Sequence, residues 1–203
     1  MPGRRTIGIV DDDDALRDSL GLLLRLRGYE VAEFDSGEAL LAAAPTPPID
    51  CLILDLRMRN INGLDVLDTC RAKGLLMPII VVSAFGDVAS TKRALRSGAF
   101  DFLEKPIHEE QMLRVIAEAL AEFDQTMALA AEQTSLDERV QRLTGRERQI
   151  LDAVLLGRHN REIAGALNIS VRTVEVYKSR MMEKMQVTRL AELVRLFART
   201  EPR

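Results

Sequence analysis

Five residues have types that could work as one chemical site: Asp11, Asp12, Asp55, Ser83 and Lys105. Each stands at or just beyond the end of a short apolar run, at residues 6–10, 51–54, 78–82 and 100–103. The central run is Cys51-Leu52-Ile53-Leu54, which leads into Asp55 without alternation. A run with no polar face suits a strand of a parallel sheet covered by helices on both sides. Open α/β sheets gather their ligands at the C-terminal strand ends. Three carboxylates brought together there repel one another. A divalent cation offsets this, and oxygen-only ligands suit Mg²⁺. Lys105 adds a second positive charge and Ser83 a hydroxyl donor. The chemistry this set suits is phosphoryl transfer onto a carboxylate, with Asp55 as nucleophile and an aspartyl-phosphate as product. Mg²⁺ would neutralise charge on the transferring group. Taken singly, each residue has an ordinary explanation. Asp55 could start a turn, Asp13 or Asp14 could cap a helix, Ser83 could be a turn hydroxyl and Lys105 a solvated cation. Four such residues on four strand ends favour the joint reading.

The elements that must position them follow from periodicity. The strand over residues 6–10 is closed by Asp11 to Asp14, and leucines at 16, 20, 23, 24 and 26 then recur at helical spacing until Gly28. Residues 30–34 form a second strand. Ser36 caps a helix through Ala44, which Pro45, Pro47 and Pro48 prevent from continuing. After the strand ending at Asp55 comes a helix over 63–73, closed by Gly74. A fourth strand covers 78–83, a helix 87–97 closed by Gly98, and a fifth strand 100–103 before Glu104-Lys105-Pro106. The next helix begins near His108. Five β/α repeats imply a doubly wound parallel sheet with right-handed crossovers. The order 2-1-3-4-5 puts strands one and three side by side at the switch point. Leu113, Ile116, Leu120, Phe123 and Met127 extend the last helix as a heptad-like seam. Small and polar residues from Ala128 to Thr134 predict a hinge, and Ser135 with Glu138 a capping box starting a short helix.

The remainder reads as all-helical. Thr144 with Glu147 predicts a capping box, with helices to Gly157, over 160–167, from Ser170 to about Met185, and over 190–198. Ile163, Ala164, Leu167, Asn168, Ile169, Val174 and Tyr177 fit a helix-turn-helix, with Asn168 at the left-handed turn position. Net charge is −3 but is unevenly spread: residues 1–120 carry 14 Lys+Arg against 19 Asp+Glu, and residues 144–203 carry 12 against 7. The basic end suits a polyanion. Cys51 and Cys70 lack metal spacing and read as small apolar residues in a reducing compartment. Residues 7–10 are too short for a signal core, and no apolar run approaches 20 residues, so a cytoplasmic, non-membrane protein is expected.

Val10-Asp11-Asp12, Asp55 with Met58 and Gly63, Ser83-Ala84, and Lys105-Pro106 with Phe102 resemble the response-regulator receiver domain over residues 4–122. Leu143-Thr144, Arg146-Glu147, Gly157, Asn160, Glu162-Ile163-Ala164, Ser170, Thr173-Val174 and Lys184 resemble the LuxR-type helix-turn-helix over 143–198. Their order is similar to the FixJ type within the NarL/FixJ family of two-component response regulators. The resemblance implies a CheY-like α/β receiver followed by an all-α, four-helix DNA-binding domain, with boundaries 1–122, 123–142 for a helical linker, and 143–203. It implies phosphorylation of Asp55 by a histidine kinase. Mg²⁺ would sit on Asp12, Asp55 and the backbone oxygen of Arg57, with Asp11 helping through water. Ser83, Ala84, Phe102, Lys105 and a cis Lys105–Pro106 bond form the phosphoryl-binding and switch set. On the recognition helix Glu175, Val176 and Ser179 would face bases, Arg172, Lys178, Arg180 and Lys184 suit phosphates, and Thr173 is a further DNA-binding residue. Departures are Arg59 for the usual Pro, which frees or shifts the Asp55 loop, Gly145 for Pro, and Tyr177 for His.

The function implied is a DNA-binding transcriptional regulator switched by phosphorylation-promoted homodimerisation, with promoter DNA and RNA polymerase as partners. An aspartyl-phosphate hydrolase is disfavoured because its second Asp, two residues after the nucleophile, is here Arg57. A regulator that uses the first domain only to dimerise is disfavoured by the intact acidic set. The only catalysis expected is self-catalysed phosphoryl transfer and hydrolysis.

Overall fold

In the computed structural model, residues 4–43, 48–84 and 88–200 are described, residues 199 and 200 by backbone alone. The strands are β1 (Thr6–Val10), β2 (Glu30–Phe34), β3 (Cys51–Asp55), β4 (Ile79–Ser83) and β5 (Asp101–Glu104). All neighbouring strands run parallel, in the order β2-β1-β3-β4-β5. The helices between them are α1 (Asp14–Leu26), α2 (Gly37–Ala43), α3 (Gly63–Ala72) and α4 (Val88–Arg96), and α5 (Glu109–Gln141) follows β5. Ala44, Pro45, Pro47 and Asp87, which the sequence places at helix boundaries, lie outside the described residues.

The unbroken apolar runs are explained by two cores, one on each face of the sheet. Ile7, Ile9, Cys51, Ile53, Ile80, Val82 and Leu103 point to one face, against Leu20 and Leu24 of α1 and Met112, Ile116 and Leu120 of α5. Val10, Leu52, Leu54, Ile79 and Val81 point to the other, against Leu40 of α2, Leu64 and Leu67 of α3 and Ala94 of α4. Successive strand residues serve opposite faces, so a strand buried twice has no place for a polar alternation. Burial pushes the Cys51 thiol up to about 12, which leaves it protonated and inert.

The chain divides into two compact units, Met1–Asp124 and Gln125–Arg203. α5 runs through residues 128–138 without a break. The expected hinge at 128–134 and the capping box of Ser135 with Glu138 are therefore corrected. Ala128, Ala130, Ala131, Glu132 and Gln133 are strong helix formers, and their propensity outweighs their small or polar character.

The second unit contains α6 (Gly145–Leu155), α7 (Asn160–Leu167), α8 (Val171–Lys184) and α9 (Leu190–Thr200). Their core is Ile150, Leu151, Val154, Ile163, Val174, Met181, Met185 and Leu193, with Leu136 from the end of α5. Two tight turns hold it. Asn168, at the C-cap of α7, is left-handed with φ 54° and ψ 48°, as the sequence predicts. Gln186, beyond α8, has φ 58°. The second was not legible, because glutamine has no local preference for that region. Gln186→Gly should raise the stability of this unit by about 0.5–1 kcal/mol, since glycine takes positive φ without steric cost. Urea unfolding of the full chain measures this. An unchanged or lower midpoint would mean the turn stores no strain.

Candidate functional site

The register of the sheet assembles the site. Val10 pairs with Leu54 and Asp55 with Val82, so the residues that follow β1 and those that end β3 and β4 meet at one edge. Asp11 and Asp55 are buried, Ser83 is fully buried, and Asp12 is half-exposed. One carboxylate oxygen from each of Asp11, Asp12 and Asp55 lies within 4.8 Å of the others. Lys105, just beyond β5, reaches into this group. Its Nζ is 2.8 Å from Asp11 Oδ2 and 3.1 Å from Asp55 Oδ1. The Lys105–Pro106 bond is cis, as the resemblance implies.

The electrostatics follow from burial and charge number. Desolvation pushes the Asp55 carboxyl above its ordinary value, helped by Asp11 and Asp12, and Lys105 only partly opposes this. Burial alone would lower the Lys105 ammonium, but its hydrogen bonds and charge contacts with Asp11 and Asp55 hold it above the usual lysine value. Unit charges 4–5 Å apart interact by roughly 3–4 kcal/mol at an effective dielectric near 20. Three carboxylates facing the half-buried Lys105 ammonium, with only the exposed Arg59 guanidinium beside Asp12, are therefore under-neutralised. Oxygen donors at this spacing fit a hard divalent cation.

Backbone contacts fix the positions. Asp13 caps α1 through the N–H groups of Ala15 and Leu16, and its own N–H donates to Asp11 Oδ1 at 2.9 Å. Arg17 donates to the Asp11 carbonyl at 2.7 Å and pairs with Asp14. The loop after Asp55 is closed by Gly63 N–H donating to the Leu56 carbonyl at 2.9 Å and by an antiparallel bridge between Arg57 and Asn62. Arg59 therefore sits in a tied loop, and its N–H donates to Asp12 Oδ2 at 3.2 Å. Ala84 is exposed beside Ser83. Phe102 is half-buried on β5, opposite Val81, and packs on the core shared with α3 and α4.

On α8 the side chains of Arg172, Glu175, Val176, Ser179 and Arg180 are exposed, and that of Lys178 is half-buried. Thr173 is half-buried, its Oγ1 2.7 Å from the Ser170 hydroxyl that caps the helix. Lys184 differs from the other cations. Its Nζ lies 2.6 Å from Oε2 of the buried Glu147. Burial would raise the Glu147 carboxyl, but Lys184 and Thr144 outweigh this and hold it below the ordinary range. Glu147 also completes the capping box with Thr144. Lys184 thus anchors α8 to the start of α6. Sequence reasoning missed three contacts: Lys184 with Glu147, Arg17 with Asp11, and Arg59 with Asp12. Only Arg17 left a local signal, its charge pairing with Asp14 at i,i+3.

Comparison with known proteins agrees with this geometry. Residues 7–117 match the response regulator receiver domain. Residues 141–197 match the luxR family of bacterial regulatory proteins. The transcriptional regulatory protein FixJ of Bradyrhizobium diazoefficiens is 37% identical over 98% of this chain and 97% of its own. The C4-dicarboxylate transport transcriptional regulatory protein DctR of Rhodobacter capsulatus is 37% identical over 94% of this chain and 98% of its own. The response regulator StyR has a solved structure with a TM-score of 0.87, 35% identity, and coverage of 97% of this chain and 99% of that one.

Gly63 sets a steric condition on the end of β3. A Cβ there would lie 2.2 Å from the Asp55 carbonyl oxygen and 2.9 Å from Leu56 Cα, both backbone atoms. Gly63→Ala should therefore push the end of β3 out of place. Uptake of phosphoryl groups from acetyl phosphate should fall at least tenfold, while the C-terminal unit still binds DNA. Uptake at the wild-type rate would show that the loop yields without moving Asp55.

Proposed function

The chain belongs to the two-component response regulators that join a receiver domain to a LuxR-type DNA-binding domain, and we propose that Asp55 is its phosphoacceptor. The chain is a transcriptional regulator rather than an enzyme with a separate substrate. The observation that carries the assignment is the Lys105 ammonium lying between Asp11 and Asp55 at the edge where the acidic trio converges.

In this reading an Asp55 carboxylate oxygen attacks the phosphorus of a phosphohistidine on a partner kinase. The new P–O bond forms as the P–N bond breaks, and the imidazole leaves with a proton. Asp12, Asp55 and the Arg57 backbone oxygen would hold Mg²⁺, with Asp11 assisting through water. The cation would supply charge neutralisation for the transferring group. Lys105 lies close enough to Asp55 to meet the phosphoryl oxygens, and the Ser83 hydroxyl, one strand away, answers another. Ala84 N–H adjoins it. Hydrolysis of the same bond, self-catalysed, resets the site.

The phosphoryl group brings about −1.5 to −2 charges and three acceptor oxygens. Drawing Ser83 toward Asp55 vacates space that Phe102, on the neighbouring strand, can fill. The surface of α4, β5 and the first turns of α5 then changes, and homodimerisation through it follows. A two-fold pair of α8 helices reads paired half-sites in promoter DNA. Arg172, Lys178 and Arg180 suit phosphates, and Glu175, Val176 and Ser179 suit bases. Thr173 and Lys184 act through the helix, as cap and anchor. RNA polymerase is a further partner. None of the described helices is long and apolar enough to cross a membrane, and a reader of chromosomal DNA works in the cytoplasm.

Acetyl phosphate with Mg²⁺ should add about one acid-labile phosphoryl group per chain, and Asp55→Asn should take up none. Sedimentation should shift wild type toward dimer with beryllofluoride, and Ser83→Ala should shift less. Incorporation into Asp55→Asn at the wild-type level would sink the assignment. In binding to promoter fragments, Lys178→Ala should weaken all sequences alike and reduce the salt dependence. Ser179→Ala should instead change preference, by roughly 1–3 kcal/mol at the affected base pair. The reverse pattern would mean that α8 is rotated from this placement.

A further inference from the structure

Arg59 makes two contacts with one atom. Its backbone N–H donates to Asp12 Oδ2 at 3.2 Å, and its guanidinium Nε lies 3.2 Å from the same oxygen. Neither contact is open to proline, which lacks both the N–H and the charge. Asp12 is the accessible member of the acidic trio: its side chain is 26% exposed, against 5% for Asp11 and 6% for Asp55. A cation arriving from solvent meets Asp12 first. Arg59 also forms the cationic wall of a cleft of about 330 Å³ beside the trio, whose other charged walls are Asp12, Asp14, Asp35 and Glu38.

We propose that Arg59 is a tethered counter-cation that competes with the divalent cation for Asp12 and so sets the metal affinity of the phosphoacceptor site. The proposal rests on the acidic trio being that cation's site. Lys105 already engages Asp11 and Asp55, so Asp12 carries the least buried compensation when Arg59 is set aside. A hard divalent cation needs an oxygen lone pair of Asp12, and Arg59 directs two donors at Oδ2. The cation must displace the guanidinium or bind beside it against like-charge repulsion. The Arg59 side chain is 82% exposed, so it swings away readily. Competition is therefore modest, not a block. Exposed ion pairs of this kind change an equilibrium by about two- to five-fold. Arg59 is a positioning residue here and touches no reacting atom.

The test is calorimetric titration of the full chain with MgCl₂ at low ionic strength. Arg59→Ala should bind Mg²⁺ about two- to five-fold more tightly than wild type, and the gap should narrow at high salt. Arg59→Pro, which also removes the N–H, should bind at least as tightly as Arg59→Ala. Arg59→Lys, which keeps the charge, should stay near wild type. Arg4→Ala removes an exposed arginine that pairs with Glu30 at the other end of the sheet, and should change nothing. Equal or weaker Mg²⁺ binding by Arg59→Ala overturns the proposal, as does an equal gain in Arg4→Ala, which would reduce the effect to net charge. Asp12→Ala should abolish binding in either background. Absence of Mg²⁺ binding in wild type and all variants overturns the metal reading itself, and this proposal with it.

Discussion

Everything in the first unit depends on keeping three carboxylates together against their repulsion. Asp11 and Asp55 are buried within contact of a single ammonium, and Asp12 sits at the rim. Left to themselves these groups would drive the strand ends apart or take up protons; burial raises the Asp55 carboxyl, and the charges of Asp11 and Asp12 add to it. Lys105 resists it from the far side of the sheet, four strands from β2. The site is thus poised: a doubly charged cation there would complete its neutrality, and in the proposed function an added phosphoryl group would disturb it again. A switch needs that property, because a group with no differential interaction between two states shifts nothing.

The sheet makes the convergence rigid. Strands buried on both faces cannot slip register without exposing one core or crushing the other. The end of β3 is clamped further by Gly63, whose missing side chain lets α3 start against the Asp55 carbonyl. Asp55, the Ser83 hydroxyl and Lys105 are therefore held by elements that pack for reasons unrelated to phosphoryl chemistry. The loop carrying Arg59 combines high exposure with a direct contact to Asp12. Chemistry on this scaffold is most readily tuned there.

The second unit solves a different problem with few residues. Four short helices must present one exposed face of α8 without losing a small core. The left-handed turn at Asn168 sets the angle between α7 and α8, and the hydroxyl of Ser170 starts the new helix. The buried Glu147 then ties the other end of α8 through Lys184 while capping α6. A buried carboxylate with a charged partner and backbone donors holds position without depending on the bulk of the core.

Most of this was legible in the sequence wherever the cause is local. Unbroken apolar runs at Ile7 to Val10, Cys51 to Leu54 and Ile79 to Val82 announce doubly buried strands. Gly28, Gly74, Gly98 and Gly157 mark helix ends, and Asn168 and Ser170 the turn. The acidic trio, Ser83 and Lys105 followed, because side chains at equivalent ends of parallel strands must meet. The sequence misled where a weak local signal competed with propensity: the small, polar stretch from Ala128 to Thr134 continues α5, since alanine, glutamate and glutamine favour helix. Tertiary structure alone decided the pairings between residues far apart in the chain. Nothing around Lys184 indicates that its ammonium turns inward to Glu147, and nothing around Arg59 indicates Asp12 as its partner. A charge on a surface helix or loop reads the same whether solvent or a distant carboxylate receives it, and only the packed chain says which is within reach.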